Sequence, residues 1–249
     1  MHALPVSLAI FALGFLTMFF GTATGGVGLV IVPLLMTFGL PPHAAIATTR
    51  FSVFAGDLVG LRVFQKAGKV EYALALPVLL LGLTGSVFGS FVLLWTPGAL
   101  VEKLLGAFLL LMLLFMLKQS SIGLQPVHIP STVRRLFGYV LLFLVSIFGA
   151  FFSAASGLLG RTTLMTCFGQ TYLQSAATRK IQGIGIGIVS LIIFAWGGII
   201  HLPTVALLAP AMIFGSFFGS RFALHKGEKW VKALFCVVVL IAGLHLLLF

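Results

Sequence analysis

The chain has 249 residues, 60% of them hydrophobic and only 8% charged. A soluble globular domain carries about 25% charged residues, so composition excludes that class. Fifteen Lys and Arg against four Asp and Glu leave a net charge of +11. The basic residues sit in short hydrophilic connections and are not interleaved with aromatics, which argues against a nucleic-acid surface and fits the positive-inside rule for membrane loops.

In chain order, the first apolar block spans 4–38. It follows Met1-His2 without Lys or Arg and without an A-x-A site, so it is expected to belong to the mature protein rather than to a cleaved leader. The block is too long for one helix and short for two full spans. It is interrupted by "GTATGGVG" at 21–28. Apolar blocks follow at 51–65 (starting nearer 43), 70–95 and 98–117, each close to the 17–25 residues that cross a bilayer. The most hydrophilic stretch, "KQSSIGLQPVHIPSTVRR" at 118–135, reads as a linker. Then the pattern recurs. A long block at 135–169 is interrupted by "SAASGLLG" at 153–160, and blocks follow at 181–198 (starting nearer 173), 202–222 and 230–249. The two cysteines, Cys167 and Cys236, lie in apolar surroundings with no metal-binding spacing and read as small core residues.

The two halves align without a gap under a shift of 130 residues. "FG" at 38–39 falls on "FG" at 168–169, "AT" at 47–48 on "AT" at 177–178, Gly68 on Gly198, and "GSVFGS" at 85–90 on "GSFFGS" at 215–220. The charge bias, however, alternates. Arg62, Lys66 and Lys69 follow the second block of the first half, while the matching "WGGIIHLP" has no Lys or Arg. Lys103 alone follows the third block, while its counterpart holds Arg221, Lys226, Lys229 and Lys232. Opposite bias in equivalent loops fits inverted halves whose charged loops are all cytoplasmic. Inversion requires an odd number of crossings per half, which follows if each interrupted block enters and returns. The expected fold is an all-α polytopic membrane protein with two repeats. Each repeat is a broken or re-entrant helix followed by three transmembrane helices, with an N-terminal repeat at 1–117, a cytoplasmic linker at 118–134 and a C-terminal repeat at 135–249. Both termini are then extracytoplasmic, in a bacterial inner membrane. Parallel repeats of four crossings remain the alternative.

The segment "GTATGGVGLVIVPLLMTFGLPPHAAIATTR" resembles the signature of the sulfite exporter TauE/SafE family: a Gly-rich break, then V-P-L-L, G-L-P-P and A-x-A-T. "FQKAGKVEY" resembles the basic loop that follows in that family. "FGQTYLQSAATRK", "GGIIHLP" and "GSFFGSRFA" look like a weaker second copy. The resemblance implies a secondary transporter of small anions such as sulfite, sulfonates or sulfoacetate.

Candidate site residues follow from charge and position. Gly25, Gly26 and Gly28 form the first break, where bare amides at a hairpin tip suit an anion; tight helix packing is the plainer reading. Arg161 beside the second break costs at least about 2.5–3.5 kcal/mol at mid-bilayer unless partnered, and its planar fork suits an oxyanion. Its plainer readings are snorkelling and an ion pair with Asp57. Asp57 is the only acid well inside an apolar span. It is read as an ion-pair partner for Arg161 or Arg62, or as a proton carrier for coupling. Thr48, Thr49 and Arg50 match Thr178, Arg179 and Lys180 under the shift. They are read near helix starts, as anion ligands or as caps and interface anchors. Ser52 and Gln182 add polar groups on the same segments. His43, His128, His201, His225 and His245 share no metal spacing, and no HExxH, Walker A, GxSxG or carboxylate pair occurs. No metal, cofactor or nucleic-acid partner is therefore expected; the partners are a small anion and lipid, in an oligomeric state that is open and compatible with a homodimer. A passive anion channel is the alternative function. An intramembrane enzyme, with Ser156 and His43 as its only weak candidates, is less favoured.

Overall fold

The computed structural model describes residues 4–118, 131–153 and 156–226. Within them lie α1 (Leu4–Thr24), α2 (Val27–Thr37), α3 (Pro42–Lys66), α4 (Tyr72–Trp95), α5 (Gly98–Lys118), α6 (Thr132–Phe152), α7 (Ser156–Phe168), α8 (Tyr172–Trp196) and α9 (Leu202–Lys226), and no strand. The chain is an all-helical, multi-pass membrane protein. Six of these helices, α1, α3, α4, α6, α8 and α9, are long and apolar enough to cross a bilayer. The expected block at 230–249, Cys236, Lys229, Lys232, His128, His245 and most of the linker lie outside the described residues.

Local signals account for the element ends. Pro41 and Pro42 open α3, with Pro at the first helical position. α8 opens on a capping box, in which Thr171 Oγ1 accepts from Gln174 N and Gln174 Oε1 accepts from Thr171 N. The two interrupted blocks each resolve into a long helix and a short one. α1 stops at Gly25, which adopts φ 86°, a conformation open to glycine at no steric cost. α6 stops at Ser153, which takes the same left-handed region at φ 55° without being glycine. α2, with 11 residues, and α7, with 13, extend about 16 and 20 Å and are too short to cross. Gly138 on α6 faces Cys167 and Phe168 at the end of α7, and Gly149 faces Ser156 at its start, so α7 runs back along α6 as a hairpin.

Small residues set the helix contacts, as expected where lipid leaves no hydrophobic drive between helices. A Cβ at Gly85 would lie 2.9 Å from Phe143 O, and one at Gly89 would strike Ile147 O and Ala150, so α4 packs parallel to α6. Gly215 and Gly219 do the same on α9 against Phe15 and Phe19 of α1. The repeated GS-x-F-GS motif thus seats α4 on α6 and α9 on α1. α4 also runs parallel to α8, with Gly82 beside Gly185 and Ser90 Oγ 2.9 Å from Ser190 Oγ. α9 runs parallel to α3, with Gly56 against Met212 and Gly60 against Ser216. At the centre α3 and α8 cross antiparallel: Phe54 meets Gly187, Asp57 meets Gly183 and Gly60 meets Lys180. Trp95 and Trp196 end the parallel helices α4 and α8, both 80% exposed, and so mark one membrane interface.

Candidate functional site

The two hairpin tips touch. A Cβ at Gly25 would overlap the Gly157 carbonyl carbon and lie 2.6 Å from Leu158 N, and a Cβ at Gly157 would overlap Gly25. Only backbone fits at this junction. Beside it is a cavity of about 50 Å³, the space of a few water molecules, lined by residues that include Gly25, Val27, Gly28, Ser153, Ser156 and Gly157 of the tips. Val27 and Gly28 begin α2, and Ser156 and Gly157 begin α7. Two helix N-termini therefore meet at the cavity, each carrying roughly half a positive charge.

The side chains around it are mostly cationic. Arg50, Arg161, Arg179 and Lys180 line the cavity together with a single acid, Asp57, and each is at most 9% exposed. Lys180 Nζ pairs with Asp57 Oδ1 at 2.8 Å. The expected pairing of Asp57 with Arg161 or Arg62 is thus replaced by Lys180. Lys180 faces Asp57 across the antiparallel crossing, whereas Arg62 points outward and is exposed. Arg179 donates from Nη2 to Ser156 Oγ at 2.9 Å and from Nε to Ser156 O at 3.2 Å. Its Nη1 has no hydrogen-bond partner among the described residues. Arg50 Nη2 donates to the Gly149 carbonyl, leaving its Nε unpartnered among the described residues. Arg161 is buried rather than snorkelling, with its guanidinium 4.6 Å from the centroid of the Tyr172 ring.

Other expected residues fall elsewhere. Thr48–Arg50 and Thr178–Lys180 do not sit at helix starts: α3 begins at Pro42 and α8 at Tyr172, which puts these residues about two turns in, buried in the crossing. Thr48 Oγ1 accepts from His201 N at 3.1 Å, and Thr178 Oγ1 accepts from Gln170 Nε2 at 2.9 Å. Ser52 Oγ donates back to Thr48 O, and Gln182 Nε2 donates to Leu142 O and Ser146 Oγ. Arg50, Arg179 and Lys180 line the cavity from these segments, whereas Thr48, Thr49, Ser52, Thr178, Gln182 and Gly26 do not. The Gly25 amide is not bare, since it donates to Gly21 O at 2.6 Å. Two polar lining residues carry no role in the sequence reading, Ser153 and Thr22. Ser153 is 6% exposed, its hydroxyl has no hydrogen-bond partner among the described residues, and its backbone is left-handed. Its place in the second break was visible, but its φ was not.

Access differs at the two ends of the crossing. A cleft of about 590 Å³ opens where α3 starts and α8 ends, lined by Pro41, His43, Ala44, Leu94, Gly197, Gly198, Ile199, Ile200 and His201. At the other end Phe64, Ala176 and Ala177 pack with Val70, Leu173 and Leu224, and Gln170 Nε2 donates to Glu71 Oε2 at 2.8 Å. Among the described residues no group of three or more His, Cys, Asp and Glu is placed to hold a metal.

The family profile described as sulfite exporter TauE/SafE matches residues 10–246. The chain is 23% identical over 238 residues to the probable membrane transporter protein ORF9 of Sinorhizobium sp, covering 96% of this chain and 91% of that protein. It is 23% identical over 248 residues to the probable membrane transporter protein YfcA of Escherichia coli K12, covering 98% and 90%. It is 25% identical over 248 residues to the probable membrane transporter protein YdhB of Bacillus subtilis 168, covering 97% and 99%. No solved structure gives a significant match.

Proposed function

The chain belongs to the sulfite exporter TauE/SafE family of membrane transporters, and from that premise we propose that the cavity between the hairpin tips holds its cargo, a small sulfur oxyanion or sulfonate. The observation that carries this reading is the excess of buried positive charge, four cations against one carboxylate around a small cavity at two helix N-termini. Burying an ion costs several kcal/mol unless it is compensated. Asp57 compensates Lys180, and a bound oxyanion would serve the three guanidinium groups. Arg179 Nη1, Arg50 Nε and the Ser153 hydroxyl are the spare donors, and Arg161 completes the positive wall. A cavity of this size suits a small ion or the head of a small organic acid and is far too small for a nucleotide.

The mechanism we assign is alternating access between inverted repeats at 1–117 and 135–249, joined by a cytoplasmic linker at 118–134. Three observations support it. α3 (42–66) and α8 (172–196) have the same length and bounds offset by 130 residues. They cross antiparallel, and the parallel pairings of α1 with α9, α6 with α4, α4 with α8 and α9 with α3 make every equivalent pair antiparallel. The cleft at the His43–His201 end and the packed seal at the Glu71–Gln170 end are what one side open and one side closed would look like. With the basic loops cytoplasmic, the open cleft faces outward, the termini are extracytoplasmic and the membrane is the bacterial inner membrane.

Proteoliposomes test this. Labelled sulfite, sulfate, thiosulfate and sulfoacetate are offered to the reconstituted chain. Saturable uptake with counter-flow of at least one of them supports the reading. Uptake of none, or a non-saturating current without counter-flow, refutes the carrier mechanism.

A further inference from the structure

One cation of the cavity has surroundings unlike the others. Lys180 Nζ lies 2.8 Å from Asp57 Oδ1 and 3.4 Å from both Thr22 Oγ1 and Ser216 Oγ. Thr22 Oγ1 and Ser216 Oγ are themselves 3.4 Å apart, so the three oxygens close around one point. They come from α3, α1 and α9, and the ammonium reaches them from α8, so the cage is built by both halves. Room for it is held open by Gly60, where a Cβ would fall 2.5 Å from Ser216 Oγ and 2.9 Å from Lys180 Cε. Gly183 does the same for the carboxylate, since a Cβ there would overlap Asp57 Oδ2.

A carboxylate and two hydroxyls make a hard oxygen donor set, suited to a small hard cation. Lysine supplies a compact point charge of that kind, which the broad guanidinium of arginine does not. The position equivalent to Lys180 under the 130-residue shift is Arg50, which bonds a backbone carbonyl instead, and Gly187 stands where Asp57 would be. The oxygen cage therefore has no copy in the other half. The other charges facing it are Arg50 on α3, Arg161 on α7 and Arg179 on α8, all cations lining the same cavity. Asp57 is the one acid beside that anion site, and a positive partner removes its repulsion; a transporter can supply that partner as a coupled ion or as a residue of its own.

We propose that Lys180 is a tethered substitute for a coupling cation: its ammonium fills the Asp57–Thr22–Ser216 oxygen cage that a sodium ion would take in its absence, so transport by this chain needs no sodium. The proposal rests on the anion reading of the neighbouring cavity, and it gives that site its ion requirement.

The test uses the purified full chain and two readouts. Thermal stability is measured in sodium, potassium and choline chloride with no sulfur anion present. The wild type is expected to show no sodium-specific shift. Lys180→Ala, which empties the cage of its amine, is expected to gain a saturable upward Tm shift with sodium, and the shift should vanish in Lys180→Ala/Asp57→Asn. In proteoliposomes with sulfite as the probe, wild-type uptake should be equal in sodium and choline, and Lys180→Ala uptake should be lost in choline and restored by sodium. Lys180→Ser is the second variant should the alanine protein not be recovered, with the same expectation. Wild-type uptake that requires sodium overturns the proposal, as does a folded Lys180 variant without a sodium shift. The shift is read without sulfite, so it stands or falls separately from the anion site. Loss of sulfite binding with the sodium shift intact would refute only the anion reading.

Discussion

Replacing Arg161 with methionine should separate binding from folding. The substitution keeps the stem volume and removes the charge beside the tip junction. Two estimates bound the loss in anion affinity. Unit charges about 4 Å apart at an effective dielectric near 20 interact by about 4 kcal/mol, and a hydrogen bond to a charged group contributes about 1.5–3 kcal/mol. A loss of about 1.5–4 kcal/mol at 1.4 kcal/mol per decade is a Kd about 10- to 700-fold weaker. The ligand-free protein responds differently. Arg161→Met forfeits the contact with the Tyr172 ring, about 2 kcal/mol at most, and removes a buried positive charge that stands among three other cations. Its ligand-free Tm should therefore equal or exceed that of the wild type. Isothermal titration with the best-binding anion of the transport screen, together with a thermal melt of the empty protein, measures both. A Kd within threefold of wild type combined with a fallen Tm would refute the reasoning and make Arg161 a structural residue.

Ser153→Gly should trade stability against binding: relief of the left-handed backbone at φ 55° raises stability by up to about 1 kcal/mol, and loss of the hydroxyl weakens the anion by about 2- to 12-fold. Unchanged affinity in the same titration would remove Ser153 from the site. Gly89→Leu should abolish the monodisperse folded peak in size-exclusion chromatography, because its Cβ has no room against Ile147 and Ala150, whereas Gly106→Leu, whose Cβ meets nothing within 4 Å among the described residues, should elute as wild type; equal behaviour of the two would contradict the α4–α6 contact. Reporter tags on both termini should read extracytoplasmic, and single-cysteine probes at Trp95 and Trp196 should label from that same side. A cytoplasmic C-terminal tag would overturn the inverted arrangement.

The scaffold was largely legible because its signals are local. The block expected at 51–65, starting nearer 43, is α3, which begins at Pro42, and the Gly-rich stretches at 21–28 and 153–160 marked where both long blocks break. The GS-x-F-GS motif carried its packing role in its own spacing. The site was legible only in part. Arg161, Arg50, Arg179, Lys180, Asp57, Gly25 and Gly28 were singled out by residue type and do surround one cavity. Their pairing was not readable, because the partner of Asp57 depends on which residue of α8 stands opposite it in an antiparallel crossing. Thr48, Thr178, Ser52 and Gln182 looked equivalent to these in sequence. Small rotations about the helix axis direct them to His201, Gln170, a carbonyl in the same helix and α6. A left-handed serine leaves no trace in composition, so Ser153 was invisible as a cavity-lining residue.

The packing of α1 against α9 also constrains how the protein is made. α1 leaves the ribosome before α9, yet α9, which begins at residue 202, is the main surface against it among the described residues. α6 finds α4 already synthesised and can dock at once. During translation the α1–α2 hairpin therefore waits in the bilayer with the Phe15–Phe19 face uncovered, until Gly215 and Gly219 arrive nearly 200 residues later. The α1–α9 contact therefore closes late, between helices about 200 residues apart in the chain.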